Sequence, residues 1–379
     1  MLITKKDVEN ILQYRFSRIP VTSLYLDVDP KKNINKEYLI HSKSLIKESK
    51  EKIENQGFSR ENYYSVMEDF DRLFSHVESI HEHSFKGLAC FSSSKNKFFQ
   101  TFELDEPVKD NLVVGYIPYT KPLFSVLNMK KRYIALLFKK DKLRAFEVYG
   151  DTISEDLDLF TTSLFDSRAN TYVFINEKKY QNRLETEYSK FLRQASDETR
   201  ELFIRTGADY LVLGGEKNAA RDFYSVMHPY LRDRFGGYLD VDFNAKNSDV
   251  LNEVQRIAEQ KTVAEDRALV QKIHQELSKN GNACRGLGDV LNALSMAAVD
   301  VLAIGEGYST PGYMDPEYGV LYPDSGTGQN KNLVQIDDVV NEAIDVAVHH
   351  GAEVRIIKDS TMMEDLDHIA ALLRFKPSA

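Results

Sequence analysis

Apolar residues near the end of the chain recur with the period of an α-helix. They lie at i, i+3, i+4, i+7 and i+11, on one helix face: Leu287, Val290, Leu291, Leu294 and Ala298. A β-branched strand is predicted at 299–304, and a second amphipathic helix at 338–350 ends before Gly351. Alternating residues predict a strand at 353–357, and a last apolar run follows at 369–375. This pattern indicates an α/β domain in which helices flank a sheet.

The first third of the chain predicts a separate α/β unit. Runs rich in β-branched and aromatic residues predict strands at 21–28, 87–91, 98–104 and 112–116. Polar segments between them predict helices at 36–55 and 59–79. The dipeptide Lys121-Pro122 indicates a break, because the residue before a proline disfavours helical backbone. A domain boundary is therefore expected shortly after it.

The middle of the chain begins with a predicted β-hairpin at 133–138 and 143–149. Downstream, the pattern predicts a helix at 181–206, a buried strand at 209–215, a helix at 219–227, a strand at 238–243 and a long polar helix at 248–279. A chain of 379 residues is long enough for several domains. We predict three mixed α/β domains, at residues 1–128, 129–280 and 281–379.

Composition narrows the class of protein. Hydrophobic residues make up 42% of the chain, and no apolar run approaches the length of a membrane-spanning helix. The first residues lack the apolar core of a signal peptide, so we expect a cytoplasmic protein. The two cysteines, Cys90 and Cys284, lie far apart and belong to no CxxC pair. Free thiols are expected rather than a disulfide or a zinc site.

The net charge of −9 is concentrated at one end of the chain. Residues 281–379 hold 6 Lys+Arg against 15 Asp+Glu, whereas residues 129–280 hold 25 of each. An acidic surface repels phosphates and favours a basic protein partner. It could equally serve solubility alone, and the charge does not decide between the two.

The amino-acid sequence of residues 286–304, together with the order of the elements that follow, resembles the C-terminal domain of archaeal and eukaryotic class-1 peptide-chain release factors and of Pelota. The order hairpin, long loop, helix, strand, helix, strand and long helix resembles the central domain of the same family. The chain looks like a bacterial counterpart, over about Lys130–Ala379. The resemblance implies a translation-linked factor that binds the ribosome or a tRNA-like ligand. It also implies a translational GTPase as a partner of the acidic C-terminal domain, and no cofactor.

Release factors of this family carry a Gly-Gly-Gln loop before the first long helix of the central domain. Gln181 can be placed on the family glutamine, which implies a catalytic role, but Lys179 and Tyr180 stand where the glycines belong. We therefore expect little hydrolysis, with peptidyl-tRNA hydrolysis through Gln181 as the alternative. Nearby cations could bind phosphates and Tyr180 could stack on a base; these RNA-binding candidates are Lys178, Lys179, Tyr180 and Arg183. The same residues would also fit the solvent-exposed N-terminus of an ordinary helix.

Seven basic residues cluster at the ends of the predicted hairpin. They are Lys130, Lys131, Arg132, Lys139, Lys140, Lys142 and Arg144. Such a cluster can neutralise several phosphates, so we include it in the predicted RNA-binding set. A lysine-rich turn also prevents pairing between sheet edges. A protein-interaction module on the same fold, without a ribosomal role, is therefore the remaining alternative.

Two further motifs predict no ligand. Gly214-Gly215 lies between a strand and a helix, but the dinucleotide fingerprint and the P-loop lysine are missing. We interpret it as a tight turn. Some bacterial relatives resemble a zinc ribbon in the segment equivalent to 312–330, where this chain has no cysteine. No metal site is predicted there, because the thiolate ligands are missing.

Overall fold

A computed structural model describes residues 5–14, 19–55, 58–128, 131–139, 142–156, 177–315, 319–323 and 333–376. The chain divides into two compact units. The first unit contains residues 1–128 and 266–379, and the second contains residues 129–265. The two ends of the chain thus share one unit. The division into three domains stays a prediction.

The N-terminal part of the first unit is a four-stranded antiparallel sheet with helices. Its elements are α1 (Lys5–Leu12), β1 (Val21–Asp27), α2 (Tyr38–Asn55), α3 (Arg60–Glu78), β2 (Gly87–Ser93), β3 (Phe98–Leu104), β4 (Asn111–Gly115) and α4 (Lys121–Asn128). The strand order is β3-β2-β1-β4. Ser59 caps α3, because its side chain accepts a hydrogen bond from the Asn62 N–H at 3.3 Å. The strands and the two long helices agree with the sequence pattern.

The break expected at Lys121-Pro122 is instead the start of α4. Proline is tolerated in the first turn of a helix, because the N–H it lacks would have no partner within the helix. Leu123 and Phe124 of α4 are buried in the core of the unit. The chain is therefore helical at Lys121-Pro122, and the domain boundary expected shortly after it stays a prediction.

The second unit is a five-stranded sheet covered on both faces. Its elements are β5 (Arg132–Lys139), β6 (Lys142–Tyr149), β7 (Thr152–Asp156), α5 (Glu177–Thr206), β8 (Tyr210–Gly215), α6 (Lys217–Val226), α7 (Pro229–Arg232), β9 (Phe235–Tyr238) and the first part of α8 (Asn247–Ser278). The order is β7-β6-β5-β8-β9, with β5, β8 and β9 parallel. The two apolar faces of β5 enter two different cores, which explains its continuous hydrophobic run.

Two details of this sheet concern glycines. Gly215 has φ +83°, and a side chain on it would collide with the carbonyl oxygen of Phe138. This supports the interpretation of Gly214-Gly215 as a tight turn. The strand expected at 238–243 lies instead at β9, where Gly236 and Gly237 weaken the strand signal of the sequence.

The C-terminal part of the first unit contains a sheet of order β10-β16-β11-β15 and a smaller one of order β13-β12-β14. The elements are β10 (Ala283–Arg285), α9 (Leu287–Ser295), β11 (Val299–Gly305), β12 (Gly312–Met314), β13 (Leu321–Pro323), β14 (Val334–Ile336), α10 (Val339–His349), β15 (Glu353–Ile357) and β16 (Ile369–Leu373). Leu291, Leu294, Ile344 and Ile356 are buried in the core of this part. Val301, which lies next to a bulge in β11, is half-buried.

The N- and C-terminal parts of the first unit share a hydrophobic core. Tyr25 and Phe124 belong to the same buried cluster as Ile344 and Val354. Polar contacts join the same parts: the Asn341 amide oxygen accepts from the Thr120 N–H at 3.0 Å, and its amide donates to the Pro118 carbonyl at 3.3 Å. Residues distant in sequence therefore stabilise one another as a single folded body.

Candidate nucleic-acid interface

The basic hairpin is formed by β5 and β6. Their antiparallel register pairs Lys139 with Lys142 at the tip and places Arg132 opposite Tyr149 at the other end. Lys139 and Lys142 are exposed. Lys130 and Lys140 lie outside the described residues. The described cations of the predicted cluster are thus divided between the two ends of one hairpin.

Arg144 is held within the fold by several acceptors. Its Nε and one terminal nitrogen donate to the Glu155 carboxylate at 2.6 and 2.9 Å. The other terminal nitrogen donates to the carbonyls of Phe243 and Ala245 at 2.8 and 3.0 Å. The hydrogen bond from Arg144 lowers the pKa of Glu155. A bidentate pair of this kind fixes geometry, so Arg144 ties β6 to β7 and to the turn before α8.

Arg132 also has a partner within the sheet. Its guanidinium pairs with the carboxylate of Glu147 on β6 and lies 4.9 Å from the centre of the Tyr149 ring. Lys131, one residue before the strand, is half-buried. Among the described members, Lys139 and Lys142 are the exposed ones, and they are the best placed to reach a phosphate.

Lys139 lies beside acidic residues at the carboxyl ends of the parallel strands. It lines a cavity of about 520 Å³ together with Glu216, Asp240, Asp242 and Asp249. These carboxylates reduce the positive potential on that side of the hairpin tip, because nearby negative charges partly cancel the field of Lys139. A phosphate would therefore approach Lys139 from the side away from this cavity.

Gln181 lies inside a helix. α5 begins at Glu177, four residues before Gln181. An α-helix commits each interior N–H to the carbonyl four residues earlier, so the N–H of Gln181 is directed at Glu177. Lys178, Lys179 and Tyr180 belong to the first turn of the same helix. The glutamine thus lacks the free backbone of a glycine loop.

Two family models match adjoining parts of the chain. Residues 118–259 match the bacterial archaeo-eukaryotic release factor family 10, and residues 263–377 match eRF1 domain 3. Most of the chain from residue 118 to residue 377 is thus similar to proteins of the archaeo-eukaryotic release factor family. The first match covers the basic hairpin and Gln181, and the second covers the acidic segment. The sequence resemblance to release factors and Pelota is confirmed.

Several archaeal release factors align along almost the whole chain, and a Pelota homologue aligns over about a third of it. Peptide chain release factor subunit 1 of Thermococcus sibiricus is 23% identical over 432 aligned residues, which cover 98% of this chain and 97% of the relative. The Pelota homologue of Methanosarcina barkeri is 28% identical over 123 residues, which cover 32% of this chain and 30% of the relative. Among solved structures, a ribosome-bound archaeal Pelota with ABCE1 aligns over 99% of this chain and 95% of that one, at 12% identity and a TM-score of 0.42.

One further group of side chains comes together only in the folded second unit. Tyr224, Arg232, Phe235 and Tyr238 come together on α6, α7 and β9, and Arg221 lies one helical turn before Tyr224 on α6. In sequence they are spread over 18 residues without a recognisable period. The recurrence of arginine and tyrosine in this segment could have indicated the group. The strand predicted at 238–243 instead separated Tyr238 from the other residues.

Proposed function

We propose that this chain is a translation factor that binds the ribosome or a tRNA-like ligand and has little or no hydrolytic activity. The observation that supports this most is the match of residues 118–259 and 263–377 to two release factor family models, together with the alignment of almost the whole chain to release factor subunit 1. Members named for peptide-chain release act in translation, so a ribosomal ligand is the simplest inference. The cytosol is then its place of action.

The second unit would approach RNA in this proposal. It carries the exposed Lys139 and Lys142 of the hairpin, together with the basic start of α5 at Lys178, Lys179 and Arg183. Lysines at a hairpin tip can reach phosphates without reading sequence. Binding of this kind should weaken steeply with salt, because each neutralised phosphate releases counterions.

The helical position of Gln181 supports binding without strong hydrolysis. Water-activating chemistry at a developing oxyanion needs donors that are free and correctly placed. In α5 the backbone N–H of Gln181 is directed at the carbonyl of Glu177, and Lys179 and Tyr180 replace the two flexible glycines. Hydrolysis of peptidyl-tRNA through Gln181 stays the alternative.

The acidic C-terminal segment would bind a protein. Exposed carboxylates gather on and beside the 3-10 helix Ser360–Leu366; they are Asp359, Glu364, Asp365 and Asp367. A surface of this sign favours a basic partner, and family resemblance suggests a translational GTPase. Among the helices that the structure describes, none is long and apolar enough to cross a membrane.

Sedimentation with purified ribosomes tests the proposal. We expect the full-length protein to pellet with ribosomes at low salt and to be released progressively at high salt. A protein that stays in the supernatant at low salt would contradict the proposal. That result would favour an interaction module on the same fold without a ribosomal role.

A further inference from the structure

Three aromatic rings form a small cluster at the surface of the second unit. The ring centres of Tyr224 and Phe235 lie 4.8 Å apart, and those of Phe235 and Tyr238 lie 5.0 Å apart. Tyr224 and Tyr238 are 6.4 Å apart. Tyr238 is 45% exposed although it is a large aromatic residue. The cluster therefore fixes the orientation of the Tyr238 ring while it leaves part of that ring in solvent.

Cations flank these rings. The Arg232 guanidinium lies 5.6 Å from the centre of the Tyr224 ring, and it donates to the carbonyl of Ser225 at 3.2 Å. Arg221 lies one turn before Tyr224 on α6 and is exposed. Burial raises the pKa of the Tyr238 hydroxyl, and the positive charge of Arg221 opposes that rise. We call these five residues, Arg221, Tyr224, Arg232, Phe235 and Tyr238, the Arg-Tyr face.

Neighbouring charges leave the Arg-Tyr face modestly positive. Lys217 lies one helical turn before Arg221 and is also exposed. Asp222 and Asp233 are exposed nearby, and Asp222 accepts a hydrogen bond from the Tyr188 hydroxyl at 3.2 Å. In the described part of the chain, neither Arg221 nor Lys217 has an ion-pair partner. These two cations therefore remain able to bind an anion.

The geometry points to unpaired RNA as the ligand of this face. We propose that a base stacks on Tyr238 and that Arg221 and Arg232 contact the phosphates beside it. Exposed aromatic rings between cations suit single strands, because every base has a π-face and each nucleotide carries one phosphate. A duplex hides its bases, so it would gain only the charge contacts. This inference rests on the proposed function and adds to it the kind of RNA that the second unit prefers.

Fluorescence anisotropy with the full-length protein tests the inference. The probe is a labelled oligouridylate about 12 nucleotides long, within the span of known single-strand sites, and the competitor is a duplex of equal length. We expect Tyr238→Ala to weaken binding about tenfold, since loss of one stacked base has an effect of this size. Tyr238→Phe keeps the ring and should bind within about twofold of the unchanged protein.

Two further variants separate stacking from charge and from general surface effects. Arg221→Gln should lower the salt dependence of log K by about 0.7, the value for one phosphate on a single strand. Tyr64→Ala is the matched control, because Tyr64 is 59% exposed and has the Arg60 guanidinium 5.8 Å from its ring centre. It lies on α3 of the first unit and should leave binding unchanged.

Equal affinity of Tyr238→Ala and Tyr64→Ala for the oligouridylate would overturn the inference, and so would a preference for the duplex. Parallel sedimentation with ribosomes keeps the two proposals apart. If the unchanged protein pellets with ribosomes but Tyr238→Ala binds the oligonucleotide normally, the Arg-Tyr face is excluded and the proposed function stands. If oligonucleotide binding depends on Tyr238 but ribosomes are not bound, the proposed function fails and the ligand assignment stands.

Discussion

The ammonium group of Lys121 lies 3.3 Å from the carboxylate of Asp338, and both side chains are about nine-tenths buried, with exposures of 9% and 11%. Lys121 also donates to the carbonyl of Tyr308, and the Tyr119 hydroxyl donates to Asp338 at 3.2 Å. Burial lowers the pKa of Lys121, and Asp338 opposes that shift. The pair joins residues more than 200 positions apart in sequence, and it joins the two parts of the first unit.

We expect Lys121→Met to destabilise the first unit by about 3–5 kcal/mol, because it leaves Asp338 buried without its cation. Asp338→Asn is the companion variant, since an asparagine can still cap α10 in place of the Asp338 carboxylate, which accepts from the Val340 N–H at 3.1 Å. Hydrogen exchange followed by mass spectrometry measures the loss of stability. This method needs no tryptophan fluorescence, and the chain has no tryptophan. A double variant as unstable as the sum of the singles would show that the two side chains do not interact.

Leu294 offers a test of the C-terminal core. It is 1% exposed on α9, whereas Met296 next to the helix end is 45% exposed. We expect Leu294→Ala to cost about 2–5 kcal/mol, because it leaves a cavity. Met296→Ala should stay within about 0.5 kcal/mol. Urea unfolding followed by circular dichroism compares them, and equal effects would place Leu294 outside the packed core.

Variants of Arg144 and Glu155 test whether Arg144 stabilises the second unit or binds RNA. We expect Arg144→Gln to destabilise the second unit by about 1–3 kcal/mol, because the Phe243 and Ala245 carbonyls lose a charged donor. The pKa of Glu155 is lowered in the folded protein. The contribution of the Glu155–Arg144 pair to the free energy of unfolding is therefore present at neutral pH, and it is lost as the pH falls through the lowered pKa of Glu155.

Unfolding measured between neutral and acidic pH should show this loss in the unchanged protein and not in Glu155→Gln. RNA titrations of Arg144→Gln complete the comparison. A lower salt dependence of binding with unaltered stability would instead assign Arg144 to phosphate contact.

The hairpin lysines should dominate the electrostatic part of RNA affinity. We expect simultaneous reversal of Lys139, Lys140 and Lys142 to glutamate to weaken ribosome binding and to flatten its salt dependence, because fewer counterions are released. The matched control reverses three exposed lysines elsewhere, namely Lys6, Lys47 and Lys272. Salt-dependent sedimentation compares the two triple variants, and indistinguishable slopes would remove the hairpin from the interface.

Gln181 is tested by peptide release from ribosome-bound tRNA. We expect marginal release by the unchanged protein, since α5 begins before Gln181 and no glycine precedes it directly. Gln181→Ala should then leave ribosome association nearly intact. Robust release that disappears in this variant would establish the protein as a peptidyl-tRNA hydrolase and end the binding-factor interpretation.

The sequence by itself determined the elements whose pattern is local. The period of Leu287, Val290, Leu291 and Leu294 predicted α9, and alternation predicted β15 to the residue. Both patterns can be read from the sequence, because a helix face or strand face that packs on a core requires apolar residues at a fixed spacing among neighbouring residues. The family resemblance of the C-terminal part rested on the residues at 286–304, whereas that of the central part rested on the order of its elements.

Tertiary structure alone decided which residues meet across long separations. Nothing near Lys121 in sequence reveals Asp338, and nothing near Arg144 reveals the carbonyls of Phe243 and Ala245. Counting charges therefore placed Arg144 with the exposed lysines, although the fold surrounds it with acceptors. The Arg-Tyr face arose in the same way, because α6, α7 and β9 bring their side chains together only once the sheet has formed.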